Sequence, residues 1–292
     1  MLPQLICNSL VTASILVLIG LGLLFTYRIS QFFNFAQGAY FTVGAYLVFL
    51  FREGLGVSFP LSVIAGLAVA GSLGILVHTG IYRPLIRRGA PPLILLLVSL
   101  AAYVLLTNVV SMAFGDHARS IRPGGVQEGY HLWGARVTGT QLAAICISTC
   151  LAVGAGMFMK KTRLGSAFLA LANDKVLAET SGVHTEQIML ATFGVAALLA
   201  ASGGILFALD VGVTPGMGMG LLMSSIVAVI VGGTDSIWGV VLGALLVALA
   251  QSFGTHVIGS QWQESLAFII LLAFLLVRPL GVSGRQDWRA RV

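Results

Sequence analysis

The first 27 residues, MLPQLICNSLVTASILVLIGLGLLFTY, contain no Lys, Arg, Asp or Glu. A helix needs about 20 consecutive apolar residues to span a bilayer core, and this run is long enough. Eight further uncharged runs follow, at 29–51, 54–82, 89–115, 137–159, 187–209, 211–234, 236–263 and 265–277. Because backbone groups in lipid must pair within the same structure, such runs predict helices. The sequence therefore predicts an all-α polytopic membrane protein with eight or nine transmembrane helices.

The composition excludes a soluble enzyme. Of the 292 residues, 58% are hydrophobic and 9% are charged, whereas soluble domains have about 25% charged residues. The 36 glycines suit helices that pack closely in lipid, where small residues let backbones approach each other. We expect a single transmembrane domain over residues 1–292, with no separate soluble module.

Basic residues between the apolar runs predict the orientation of the chain. They concentrate in three places, all expected on the cytoplasmic side. These are Arg83, Arg87 and Arg88; Lys160, Lys161, Arg163 and Lys175; and Arg285, Arg289 and Arg291 in the tail. Nine crossings would place the N-terminus and the 116–136 loop outside. The run at 211–234 starts with a Pro- and Gly-rich stretch that forms helix poorly; as a re-entrant half-helix it would leave eight crossings.

Two predicted helix breaks have similar sequences. One reads Asn34-Phe-Ala-Gln-Gly38, and the other reads Asp235-Ser-Ile-Trp-Gly239 directly after Gly232, Gly233 and a threonine. In each, a residue able to cap the next helix is followed four positions later by Gly. Paired breaks occur in transporters with inverted repeats. The pattern therefore allows an internal inverted repeat.

The sequence contains no motif that would supply energy or catalysis. It lacks the phosphate-binding G-x-x-x-x-G-K-[ST] loop, the H-E-x-x-H zinc motif and the G-x-S-x-G hydrolase motif. We expect no catalytic residue and no metal site. No carboxylate lies at the middle of a span, which argues against proton coupling. Asp210 lies near an outer helix end, where it either contributes to an outer mouth or is simply solvated.

The segment 160–187 is too short and too polar to span a membrane. Residues Ser166 to Thr180 favour a helix, and Gly182 is a stop signal. Phe168, Leu171, Lys175 and Ala178 fall on one face at helical spacing. A surface helix with a bulky apolar residue needs a cover. This helix therefore either lies on lipid or couples to a groove in another protein.

At this loop the sequence resembles the permease subunits of branched-chain amino acid ATP-binding-cassette importers, a family that includes permeases for urea and short amides. The resemblance covers nearly the whole chain and has three parts. They are Asn34-Phe-Ala-Gln-Gly-Ala-Tyr-Phe-Thr-Val-Gly-Ala-Tyr46; the loop residues Gly165, Ala167, Ala170, Ala172, Asp174, Ala178, Gly182 and Val183; and Gly232-Gly-Thr-Asp-Ser-Ile-Trp-Gly239 with Gly243. Two positions depart from the family pattern. Leu169 stands where many members carry Arg, and Asp235 stands where Gly is usual.

The resemblance implies one subunit of an importer that works by alternating access. A periplasmic binding protein would deliver solute to two permease chains, different or identical, in the bacterial cytoplasmic membrane. Two cytoplasmic ATPase subunits would bind ATP-Mg, so this chain itself needs no cofactor. The residues expected to contact the ATPases are Gly165, Ala167, Phe168, Ala170, Asp174, Ala178 and Gly182. With Leu169 in place of Arg, this contact would depend on packing by Phe168.

A mildly polar path for a zwitterionic or neutral solute is expected along the second helix, with Asn34, Gln37, Tyr40 and Thr42 as its lining. The alternative role for these side chains is helix packing through hydrogen bonds. Two other classes of protein also fit the sequence: a self-sufficient secondary transporter or channel, and a membrane scaffold that moves nothing. For an importer, we expect Gly165→Trp or Asp174→Lys to leave folding and membrane insertion intact and to reduce solute-stimulated ATP hydrolysis.

Overall fold

The computed structural model describes residues 2–121, 129–132, 135–278 and 281–282. Most of these residues are helical. The helices are α1 (Leu2–Ser30), α2 (Ala36–Phe49), α3 (Phe59–Val77), α4 (Arg83–Arg87), α5 (Pro92–Phe114), α6 (Gly139–Lys161), α7 (Arg163–Asn173), α8 (Lys175–Thr180), α9 (Thr185–Asp210), α10 (Met217–Gly232), α11 (Ile237–Ile258) and α12 (Gln263–Val277). Single π-turns continue α2 and α3, at Leu50–Gly54 and His78–Tyr82. The predicted basic tail with Arg285, Arg289 and Arg291 lies outside the described residues.

Seven helical segments in the described part of the chain are long and apolar enough to cross a membrane. They are α1, Phe59–Arg87, α5, α6, α9, α11 and Ser260–Val277. The predicted all-α, multi-pass membrane architecture is confirmed. Two more helices complete the set predicted from the uncharged runs. They are α2, with 14 residues, and α10, with 16 residues, and both are short for a crossing.

The centre of the bundle is α1. In its most apolar 18-residue stretch, 89% of the residues are buried, whereas in that of Ser260–Val277 only 6% are buried. This helix packs against α6, α9, α10 and α11, while α2 packs against α3, α5, α9 and α10. A helix that is apolar on all sides is expected inside a bundle, and α1 takes that place. The outer helices present their apolar side chains to the surroundings of the chain.

One end of the bundle, which we call the basic end, gathers most of the predicted cytoplasmic charges. Arg28 at the end of α1, Lys160 at the end of α6 and Asp235 after α10 line one cleft there. Arg87 in α4 pairs with Glu186 at the start of α9. The structure therefore brings together loops that the charge pattern had assigned to one side of the membrane.

The opposite end, which we call the distal end, contains the other turns. Asp210 at the end of α9 accepts hydrogen bonds from Gln141 at the start of α6. The 116–136 loop joins the same end, because Arg119 forms a β-bridge with Val213. Helix α10 begins four residues after Val213 and ends three residues before Asp235.

A short antiparallel pair of strands was not predicted. Strand β1 (Tyr130–Leu132) pairs with β2 (Ala135–Val137), with Tyr130 opposite Val137. The side chain of Gln4 accepts a hydrogen bond from the Arg136 N–H at 2.8 Å. This bond ties the pair to the start of α1 at the distal end.

Asn34 caps α2 as predicted, whereas Asp235 does not cap α11. The N-cap of α11 is Ser236, whose extended backbone lets Oγ accept from the Gly239 N–H at 3.4 Å; Asp235 lies one residue too early. At the start of α2, Phe35 already has helical dihedrals, with φ −66° and ψ −23°. The side chain of Asn34, directly before it, accepts from the Ala36 N–H at 3.1 Å, as an N-cap does. The two breaks are thus built differently, and their similarity in sequence gives no support to an inverted repeat.

Candidate functional site

The segment between α6 and α9 forms two helices rather than the single helix predicted for Ser166 to Thr180. Asp174 separates α7 from α8, with an extended backbone at φ −151° and ψ 110°. Its carboxylate accepts from the Leu177 N–H at 3.0 Å and so caps α8. The predicted stop is confirmed, because Gly182 has φ +84°. A capping preference at Asp174 therefore prevailed over the helix propensity of its neighbours.

The loop is anchored to the bundle through α7. Thr162 caps α7 by accepting from the Gly165 N–H at 3.0 Å. A Cβ atom on Gly165 would lie 2.5 Å from the carbonyl oxygens of Phe158 and Met159. Real Cβ atoms do not approach so closely, so only glycine fits this turn without displacement. The expectation that Gly165→Trp would leave the fold intact is therefore wrong.

Phe168 packs into its own chain. Its side chain is only 4% exposed, and its ring meets that of Phe25 in α1 edge-to-face, with centroids 5.7 Å apart. Leu171 and Ala178 are also buried. The ring of Phe168 is therefore not on the surface that a partner would meet, and it holds the loop against α1 instead.

The exposed apolar residues of the loop are different ones. In α8, Val176 is 72% exposed and Leu177 is 65% exposed. Lys175 is also exposed rather than sharing the buried face with Phe168, because the break at Asp174 changes the register. The remaining predicted contact residues divide as follows: Ala170, Asp174 and Gly182 are exposed, Ala167 is half-buried, and Gly165 is buried.

A cluster of charged residues joins α9, the helix that follows this loop, to α4. Glu186, at the start of α9, pairs with both Arg83 and Arg87 of α4, the latter at 3.1 Å. The sequence analysis used these arginines only as topology signals. Arg83 and Arg87 are four residues apart and share a helix face, but Glu186 lies 99 residues beyond Arg87, so no local pattern could have revealed the pairing.

The four predicted path residues lie inside the subunit. Asn34, Gln37, Tyr40 and Thr42 are all fully buried. The Tyr82 hydroxyl donates to Asn34 Oδ1 at 2.8 Å, and the Thr42 hydroxyl donates to the Gly38 carbonyl at 3.1 Å. The acceptor of Asn34 and the hydroxyl of Thr42 are therefore used within the fold.

Gln37 and Tyr40 use less of their hydrogen-bonding capacity. Both amide atoms of Gln37, the Tyr40 hydroxyl and Asn34 Nδ2 have no well-formed hydrogen bond among the described residues, although the Tyr40 hydroxyl interacts with the Asn34 side chain. The amide of Gln37 lies beside Gly22 of α1. Buried polar groups are nearly always paired in proteins. These two side chains consequently retain hydrogen-bonding capacity at the contact between α1 and α2.

The predicted helix-break glycines form a tight contact between α10 and α11. A Cβ atom on Gly232 would overlap the carbonyl oxygen of Gly239, and one on Gly243 would overlap that of Ala228. Gly233 has φ +95° and ends α10. These glycines therefore allow two helices to approach closely.

The distal end contains a polar cleft that the sequence analysis missed. It has a volume of about 500 Å³, and its lining includes Gly216, Ser224, Gln263 and Glu264. Gln251, which is buried, donates to Ser224 at 2.9 Å. The lining comes from Phe207, residues 216–224 and residues 260–265, so no local pattern could reveal the cleft. Asp210 lies at this same end, where its partner is Gln141.

A bundle of apolar helices, seven of them in the described residues long enough to cross a membrane, with a docked loop at its basic end, defines a multi-pass membrane protein. The family model described as the branched-chain amino acid transport system permease component matches residues 5–275. The chain therefore belongs to the family of branched-chain amino acid transport system permease components.

Several curated relatives align over nearly their full lengths. The high-affinity branched-chain amino acid transport system permease protein BraD of Pseudomonas aeruginosa is 31% identical, covering 97% of this chain and 96% of that protein. LivH of Escherichia coli is 28% identical, covering 96% of this chain and 94% of that protein. The probable LivH of Methanocaldococcus jannaschii is 28% identical, covering 97% of this chain and 92% of that protein.

The two departures from the family pattern lie close to each other. Leu169 of α7 and Asp235 of the α10–α11 turn line the same cleft at the basic end. Leu169 and Asp235 therefore lie in one cleft, and neither is among the polar residues of α2.

Proposed function

We propose that this chain and a second permease chain form the pathway of an ATP-binding-cassette importer for branched-chain amino acids or similar small polar solutes. Two cytoplasmic ATPase subunits would bind ATP-Mg and drive alternating access, and a periplasmic binding protein would deliver the solute. Membership of the family over residues 5–275 carries the proposal. The similarity to the branched-chain amino acid permeases BraD and LivH supports the solute class, and a bacterial cytoplasmic membrane is the matching location.

The α7–α8 loop is the proposed contact with the ATPases. Val176 and Leu177 are the exposed apolar side chains of α8, and a surface that presents such residues at one end of a membrane protein needs a cover. The buried predicted residues Gly165, Phe168 and Ala178 would act by holding the loop in place. The exposed residues Ala170, Asp174 and Gly182 complete the proposed contact.

The anchors of the loop suggest how a displacement would reach the helices. Phe168 packs on Phe25 of the central helix, and the Glu186 cluster joins α9 to α4. An ATPase that moved α8 would therefore act on α1 through the rings and on α4 through the ion pairs. Well-packed contacts transmit such shifts because packed cores have low compressibility.

Loss of ATPase binding is the direct test of the contact. In a tagged chain purified from its membrane, Val176→Asp should reduce the co-purifying ATPase by at least about fivefold, since a buried carboxylate without a partner is costly. The matched control is Val211→Asp at the distal end, where the side chain is 67% exposed; it should retain the ATPase. Full ATPase recovery with Val176→Asp would refute the contact.

For the solute path, we propose that Gln37 contacts the solute, with Asn34, Tyr40 and Thr42 shaping its surroundings. The unpaired amide of Gln37 supports this proposal. A lost hydrogen bond to the solute corresponds to about 0.5–1.5 kcal/mol, a reduction in flux of about 2- to 10-fold.

The corresponding measurement is uptake by the assembled transporter carrying Gln37→Leu, normalised to the amount of folded complex. The control is Thr192→Val, because the Thr192 hydroxyl is buried but bonds to Ile188 within its own helix at 2.7 Å. Unchanged uptake with Gln37→Leu would remove Gln37 from the path.

A further inference from the structure

A cleft of about 350 Å³ lies at the basic end, between α1, α6, α7 and the start of α11. Much of its wall is apolar, including Phe25, Val153, Met157 and Ile237. The side chains of Val153 and Met157 are 41% and 49% exposed. They belong to the outer face of α6, which is apolar and open along its length. The cleft therefore continues into the surface that faces lipid in a membrane.

Three cations line the same cleft. Arg28 ends α1, and Lys160 and Lys161 end α6. Asp235 is the acidic residue of the lining and interacts electrostatically with Arg28. No ion pair within 4 Å involves any of these four residues in the described part of the chain. Three positive charges against one negative charge leave the cleft with a net attraction for an anion.

The residues that line the cleft also indicate its depth in the membrane. The cations occupy the last turns of two membrane helices, and Trp238, which is 62% exposed, stands at its edge. Trp and basic residues concentrate where a membrane meets water. An occupant must therefore present an anion at headgroup depth and an apolar body below it.

We infer that this cleft binds an anionic phospholipid. The phosphate would lie among Arg28, Lys160 and Lys161, and an acyl chain would follow Val153 and Met157 along α6. Basic pockets between membrane helices on the cytoplasmic side recognise anionic headgroups in this way. The inference concerns a lipid and does not depend on the identity of the solute.

A steric variant tests the cleft without a change of charge. Gly156 lines the cleft, and a Cβ atom there would have no neighbour within 4 Å; Gly156→Phe should therefore fill the space. Gly154 has equally open space but is not part of the lining, so Gly154→Phe is the matched control. Native mass spectrometry of the whole transporter with added phosphatidylglycerol should show at least fivefold lower lipid retention for Gly156→Phe only.

Charge variants test the headgroup contact. Arg28→Gln and Lys161→Gln should each weaken phosphatidylglycerol retention by about fivefold, whereas Arg88→Gln, an exposed cation elsewhere at this end, should not. Phosphatidylcholine should be retained weakly, and water-soluble glycerol phosphate should not displace the lipid. The inference would be overturned if the two phospholipids were retained equally or if glycerol phosphate displaced the lipid. It would also be overturned if Gly156→Phe retained the lipid fully or if the wild-type complex carried no phosphatidylglycerol.

Discussion

At the scale of single residues, two amide side chains of one sequence motif differ in their hydrogen bonding. Asn34 and Gln37 are three positions apart, equally buried and both amides. The acceptor of Asn34 is used by the Ala36 N–H and the Tyr82 hydroxyl, whereas the amide of Gln37 meets no partner among the described residues. The sequence could place both side chains on one helix but could not supply Tyr82, which comes from a distant segment.

The bond between Asn34 and Tyr82 makes a testable contribution to stability. Asn34→Leu should lower the free energy of unfolding by about 1–3 kcal/mol, because it leaves the buried Tyr82 hydroxyl without its acceptor. Tyr82→Phe should cost about 0.5–1.5 kcal/mol, because Asn34 Oδ1 still accepts from the Ala36 N–H. Because both variants remove the same bond, the double variant should lose less than the sum of the two. Thermal unfolding of the purified complex would measure the three values. Strictly additive losses would show that the bond is not formed.

At the scale of elements, most helices were predictable because each long uncharged run must be a helix in lipid. The exceptions have local physical causes. The loop helix breaks at Asp174, because the carboxylate caps α8. The start of α11 is set by Ser236 rather than Asp235, because Ser236 has the extended backbone that an N-cap needs. Which face of the loop is exposed follows from that break, so the sequence alone could not show that Phe168 is buried.

The close contact between α10 and α11 gives a second prediction. Gly243→Ala should destabilise the protein by about 1–3 kcal/mol, because the added Cβ would overlap the Ala228 carbonyl oxygen. Gly154→Ala in α6 is the control, since its Cβ would meet open space. Alanine favours a helix over glycine by about 1 kcal/mol, so this variant should be neutral or stabilising. Equal melting temperatures for the two variants would contradict the tight helix contact.

At the scale of the whole molecule, the structure contains two distinct ends joined by a bundle. The basic end carries the docked loop and the cationic cleft, and the distal end carries the polar cleft with Glu264. Such a division suits a subunit that receives solute at one end and contacts partners at the other. The charge pattern predicted which segments share the basic end, but the clefts arise only when distant segments come together.

Uptake by purified components tests the central proposal most directly. Liposomes containing this chain with its second permease and ATPase subunits should accumulate labelled leucine only when ATP and the binding protein are both supplied. Liposomes containing this chain alone should accumulate none. Leucine uptake by the chain alone, without ATP, would contradict the account and identify a self-sufficient transporter or channel.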